Sequence, residues 1–465
     1  MRRRRRQTSF ISGSLAAIAA IGCLAVSACT PGVAGSPAAG NPTPSGAVTT
    51  NAASLGKTTI SVLDYFTGGV DNTWMKDVIA AFEKKYPNIT VQRQSVTWSD
   101  LMQELPLKMK SPNPPDVVPP NNGWQSLGTL VQGGLVDNLS SYAKAYGWDT
   151  TVPASILKEQ EFSANGKQMG SGDLFGMPVA LSSMIEVYYN RSLLKQLGLT
   201  VPTTYSQFTS DLAKAKAAGI TPVELGNQAQ SGVTQPLYSV MNALGNQSTI
   251  SNIIYSNGSS SLASQASGFP QAVQAMQDWA AKGYFPKQFT GLPETNAETQ
   301  FIGGQGLFHF DYSGSLPFTS ASQAKGFGSF VLPRNDGQPA VATLSAATEL
   351  CISSQSKHVA AAAAFLNFAA SPAAAQIAVN LGTDPMLAPN VTLPTSNPEF
   401  ADEVTNANLV TEHNSGVPYL DWATPTLFTT ITVQMSDLFG GKTSATGAVS
   451  AVQADDSKFR AQLGK

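Results

Sequence analysis

The sequence predicts an α/β fold, on three observations. A strand pattern at 58–66 (Thr-Thr-Ile-Ser-Val-Leu-Asp-Tyr-Phe) is followed by a helical stripe in which Trp74, Val78, Phe82 and Tyr86 recur every fourth residue. Pro87 ends that stripe, and Ile89-Thr90-Val91-Gln92 opens a second strand. Strand, helix and strand thus follow one another within about 35 residues, the span of a parallel crossover.

The elements continue in that style. Asp71 or Asn72 is the expected cap of the first helix. Val117-Val118 is a short strand, and Trp124 to Gly134 is a helical pattern with a glycine stop. Ile185 to Tyr189 runs as a strand into a helix at Ser192 to Leu197, and Tyr205 to Ala218 is a further helix capped at Thr203 or Thr204. His358 to Ala370 is an Ala-rich helix stopped by Ser371-Pro372. No short repeat of the solenoid or propeller kind is present.

At 465 residues the chain is too long for one compact core, and 42% apolar residues supply a real one. Charged residues make up only 12%, with 28 basic against 30 acidic, too few cations for nucleic-acid binding. The first residues carry a separate message. Arg2 to Arg6 form a basic region before an apolar stretch from Phe10 to about Ala28, the layout of a secretory signal peptide over 1–28. Its end, Val26-Ser27-Ala28-Cys29, is similar to a bacterial lipobox, so Cys29 is the expected lipid-attachment site. Residues 29–56, rich in Gly, Pro, Ser, Ala and Thr, read as a flexible tether. Cleavage before Cys29 removes five arginines and no acid, leaving 23 basic against 30 acidic residues and Cys351 as the one cysteine of the folded part.

Enzyme motifs are missing from the sequence. His309, His358 and His413 have no metal-ligand spacing, and there is no Gly-x-Ser-x-Gly elbow. Ser436 to Thr443 comes close to a phosphate-binding loop, but Ser436 stands where its first glycine belongs. No metal or other cofactor is expected.

Four stretches, in order, carry a family resemblance. They are Ala81 to Val91 with its Tyr86-Pro87; Pro115-Asp116-Val117-Val118 through Gly134-Leu135-Val136-Asp137-Asn138-Leu139; Phe175-Gly176-Met177-Pro178 with Val187 to Leu194 and Pro202 to Tyr205; and Phe301 to Phe308 with Leu366 to Pro372. Together they resemble the extracellular solute-binding lipoproteins of bacterial ABC importers, in the carbohydrate-binding group related to maltose-binding protein. The resemblance implies two α/β lobes with a ligand cleft between them. The expected division puts 57–178 and 301–345 in lobe one, and 179–300 and 346–465 in lobe two.

A sugar site needs aromatic faces to stack on pyranose C–H groups, and carboxylates or amides to bond hydroxyls, on loops at the carboxyl ends of strands. The loops that combine these give the candidates Asp64, Tyr65 and Phe66; Asn121, Asn122 and Trp124; Ser183 and Glu186; Asn227 and Gln228; Asp311 and Tyr312; and Asp421 and Trp422. Ala346-Ala347-Thr348-Glu349 replaces the glycine pair usual in the family at this place, with Glu349 a candidate structural residue. The expected partners are a carbohydrate, the ABC permease subunits, and a membrane reached through the lipid, with the protein acting as a monomer. A peptide or cationic solute as ligand, and a secreted glycoside hydrolase, stay open as alternatives.

Overall fold

The computed structural model describes residues 48–179, 182–346, 348–382 and 398–465. The expected signal peptide, Cys29 and most of the expected tether lie outside the described residues, as does Ala347. Thirteen strands organise the rest: β1 (Thr58–Asp64), β2 (Ile89–Ser95), β3 (Val117–Val118), β4 (Glu161–Phe162), β5 (Asp173–Leu174), β6 (Met177–Pro178), β7 (Ser182–Asn190), β8 (Val223–Glu224), β9 (Phe308–Tyr312), β10 (Phe327–Phe330), β11 (Ala342–Ala346), β12 (Glu349–Ile352) and β13 (Gly416–Val417). One sheet has the order β2-β1-β3-β12-β6, and a second has β13-β11-β7-β9-β8 with β10 beside β7. The chain therefore forms two α/β lobes.

The predicted crossover is present: β1 pairs in parallel with β2 from Thr58↔Ile89 to Asp64↔Ser95, and with β3 at Val62↔Val117. The helix between them, Gly69–Lys85, buries Trp74, Met75, Val78 and Phe82. Its start differs from expectation. Gly68 is the cap residue and Asp71 lies in the first turn, so the carboxylate favours the positive end of the helix without capping it.

The lobe boundaries also need correction. β9 and β11, expected in lobe one, pair with β7 in the second sheet, through Val187↔Phe310 and Ser345↔Ser183. Conversely β12, expected in lobe two, pairs with β3 through Cys351↔Val118 and with β6 through Leu350↔Met177. The helices Val359–Ala369 and Pro372–Leu381 follow it onto lobe one. Phe82 packs at 5.3 Å against Phe365 and 5.8 Å against Phe368, and Trp74 donates its indole N–H to the Ala374 carbonyl at 3.0 Å. Sheet pairing, not chain order, decides the lobe: the chain changes sheets between β6 and β7, again between β11 and β12, and back between β12 and β13. Residues 398–465 stay with lobe two.

The tether is shorter than its composition implied. Ala52 is buried in the lobe-one core, and Asn88 donates its amide to the carbonyls of Ala52 (2.9 Å) and Leu55 (2.8 Å). Thus 48–56 is fastened to the folded body. Among the described residues no single helix is long and apolar enough to cross a membrane.

Candidate ligand cleft

β1, β2 and β3 run in parallel, so the loops after them share one edge of lobe one. On lobe two, β9 ends at Tyr312, β11 ends at Ala346 and β7 begins at Ser182 on a common edge, because β7 runs antiparallel to both neighbours. These two edges meet. Gly123, with φ +64°, lies directly against Trp422: a Cβ built on it would sit 2.3 Å from the Trp422 Cβ.

The lobe-two side holds a group of rings around one carboxylate. The Tyr419 ring lies 5.1 Å from that of Trp422 and 6.1 Å from that of Tyr312. Tyr238, on the helix Thr234–Leu244, donates its hydroxyl to Asp421 at 2.8 Å. The hydroxyls of Ser183 and Tyr419 are 2.7 Å apart. Burial pushes the Asp421 carboxyl up to about 6, against the lowering effect of the Tyr238 bond. Burial likewise raises the Tyr312 and Tyr419 hydroxyls, with the Asp421 charge adding to both.

Lobe one contributes amides. Asn122 is buried and accepts from the Gln160 amide at 2.8 Å, while its own amide donates to Ser345 Oγ of β11 at 3.3 Å. Asn121 is half-buried; its amide donates to Gln125 and its side-chain oxygen accepts from the Asn122 N–H at 3.0 Å. Tyr65 is half-buried and its hydroxyl, raised by burial, is hydrogen-bonded to Thr348.

Several sequence candidates stand elsewhere, and their surroundings explain why. Asp64 is fully buried and saturated: Arg93 donates from Nε (2.5 Å) and Nη2 (2.9 Å), Ser95 from Oγ (2.8 Å) and Phe66 from its N–H (3.0 Å). Phe66 is buried, edge-on to Trp74. Trp124 is wholly buried, with Phe162 at 5.2 Å and Phe459 at 5.1 Å in T-shaped contact, so it is an apolar wedge rather than an open platform. Glu186 lies under the helix Pro398–Glu412, where Asn406 donates to it at 3.2 Å; burial and the Glu403 charge push it up to about 8. Asn227 is buried and holds its own loop by accepting from the Val233 N–H at 3.0 Å. Gln228 is exposed. Asp311 is buried, 3.3 Å from His309 Nε2, and accepts from the Tyr312 N–H at 2.8 Å.

Tyr238, Tyr419, Glu159, Gln160 and Ser345 were missed. Tyr419 stands two residues before Asp421 in a segment already singled out by its aromatics. The other four carry no local signal, since their neighbours are brought together only by the fold. A groove of about 570 Å³ runs between the lobes, with Pro153, Ile156, Lys158 and Glu159 on one wall and Gln247, Tyr255, Leu344 and Val417 on the other. None of the fourteen sequence-predicted ligand residues lines it.

Comparison with known proteins agrees with this architecture. A structure described for xylan utilization by Caldanaerobius polysaccharolyticus superposes with a TM-score of 0.72 at 19% identity, covering 85% of this chain and 99% of that one. A probable sugar-binding periplasmic protein of Mesorhizobium japonicum is 36% identical over 95 residues, 20% of this chain and 21% of the relative. The multiple sugar-binding protein of Streptococcus mutans is 23% identical over 310 residues, 65% of this chain and 69% of the relative. The alignments with the first four relatives span only 21% to 43% of their length. The model of the bacterial extracellular solute-binding protein family matches residues 67–376, more than half of the chain. The two-lobed fold and that match lead to one conclusion: the chain belongs to the family 1 bacterial extracellular solute-binding proteins.

Proposed function

We propose that this protein captures a carbohydrate between its lobes and delivers it to the permease of an ABC importer, as a binder and not a catalyst. The observation that carries the reading is the group of Tyr312, Tyr419 and Trp422 rings beside the Asp421 carboxylate, on a segment that packs against Gly123 of the lobe-one loop that also carries Asn121 and Asn122. Ring faces suit the apolar face of a pyranose, and a carboxylate with amides suits its hydroxyls. Relatives described as sugar-binding support the same ligand class. Tyr65, Asn121, Asn122, Ser183, Tyr312, Asp421 and Trp422 are assigned to the ligand. Asp64, Phe66, Trp124, Glu186, Asn227 and Asp311 are assigned to the frame around it, and Gln228 to its exposed margin.

Binding shifts the population of lobe arrangements toward the closed one by differential affinity, and the permease reads that arrangement. The protein works as a monomer, held outside the cell membrane by a lipid on Cys29, a placement supported by the Val26-Ser27-Ala28-Cys29 sequence. Isothermal titration against a panel of mono- and oligosaccharides tests the reading, with saturable binding of at least one expected. Silence across the panel overturns it. A cationic ligand is the second reading, because the Asp421, Asp311 and Glu294 charges all bear on the Tyr312 hydroxyl. Binding that weakens steeply with added salt would select it, since a neutral sugar is insensitive to screening.

A further inference from the structure

One lobe-two hydroxyl is held by two lobe-one side chains, one of them fixed in turn by a third. Ser345, next to last in β11, donates to Glu159 Oε2 at 2.8 Å and accepts from the Asn122 amide at 3.3 Å, while Gln160 fixes Asn122 at 2.8 Å. Glu159 and Gln160 belong to the turn Lys158–Gln160 of lobe one. The contact therefore ties the lobes together beside the second sheet-to-sheet passage of the chain. Glu159 is buried, and among the described residues no cation is paired with it.

We propose that Glu159 is a positioning residue that holds the lobes together in its protonated form and releases them when it ionises. The titratable groups around it set the sign. Glu349 of β12 is buried with Oε1 unpartnered, and its carboxyl is raised by burial and by the Glu159 charge. Cys351 lies beyond Glu349 and feels its charge. The Tyr255 and Tyr419 hydroxyls both feel the charge of Glu159, and Tyr255 that of Glu161 as well. Lys158 is the neighbouring cation; its ammonium sits 4.4 Å over the Tyr255 ring and partly offsets the burial that raises the Glu161 carboxyl. A negative charge on Glu159 is thus placed among carboxyls and phenols, and burial raises its carboxyl well above the usual range, outweighing the opposing effect of the Ser345 bond.

The remedy for an ionised Glu159 is water. Glu159 also lines the groove between the lobes, so parting the walls of that groove hydrates the carboxylate. Once hydrated, the group returns toward the ordinary carboxylate range. The contact arrangement is fully favoured below that range and progressively disfavoured as pH rises above it, because only the parted arrangement then loses its proton freely. Acid closes the molecule and neutral pH loosens it. The inference concerns lobe contact itself and stands whether the ligand is a sugar or a cation.

Small-angle X-ray scattering of the full chain without ligand, at pH 5 and pH 8, tests this. The wild type should show a larger radius of gyration at pH 8. E159Q keeps an acceptor for Ser345 and carries no charge, so it should stay compact at both. S345A removes the tie from the other lobe and should expand the protein at pH 5, with circular dichroism checking that each variant is folded. A wild-type radius that is the same at both pH values overturns the proposal. So does an E159Q protein that keeps the wild-type shift, or an S345A protein indistinguishable from wild type.

Discussion

Asp64 and Asp421 are both buried carboxylates on polar, aromatic segments, and both read as sugar ligands in the sequence. The fold treats them differently. Asp64 accepts two bonds from Arg93, one from Ser95 and one from the Phe66 N–H, so its lone pairs and charge are spent within lobe one. Among the described residues Asp421 accepts a single side-chain bond, from the uncharged hydroxyl of Tyr238, and its carboxyl is pushed up to about 6 by burial. A carboxylate whose partners are complete is architecture. One with capacity to spare is available to a ligand.

The comparison can be broken most forcefully at Arg93. Arg93→Ala leaves the Asp64 charge buried and unpaired, and should cost about 3–5 kcal/mol of stability, read by urea unfolding at pH 7. A loss below about 1 kcal/mol, the value of a surface pair, would mean that Asp64 is not saturated by Arg93.

Asp421 gives the next largest effect. Its folded value near 6 lies above the ordinary 3.8, so the folded state binds the proton more tightly than the unfolded one. Stability is complete below about pH 3.8 and is lost as pH rises toward 6, by about 3 kcal/mol in all. Asp421→Asn should remove that decline while keeping an acceptor for Tyr238, making the variant the more stable protein at pH 7. Parallel unfolding curves for variant and wild type from pH 4 to 7 would show instead that Asp421 ionises as a solvated group does.

The smallest effect sharpens the surroundings of Asp421. Tyr419→Phe keeps the ring beside Trp422 and loses the hydroxyl contact with Ser183, at a cost of about 1 kcal/mol in unfolding free energy. If Tyr419 is held by its ring rather than by that bond, the variant will match wild type.

The same contrast shows what was legible in the sequence. The β1–helix–β2 unit was, because its signals are local: a four-residue stripe, a proline stop and two strand patterns. The loops that meet at the seam were legible as loops. The role of each side chain was not, since Asp64 acquires Arg93 only when β2 lies beside β1, and Trp124 acquires Phe459 from more than 300 residues away. Lobe membership failed for the same reason. Leu350, Cys351 and Ile352 form an apolar run that would suit either sheet, and only pairing with Met177, Val118 and Val117 decides between them. Buried polar groups such as Glu159 and Ser345 leave no pattern at all, because each is explained by a partner on the other lobe.

Gly123 carries one consequence beyond the site it borders. Its missing side chain is what lets the backbone of lobe one come to rest on Trp422, because a β-carbon there would fall 2.3 Å from the Trp422 Cβ. A β-carbon at 123 would be a doorstop, and its positive φ would oppose the change from within the turn as well.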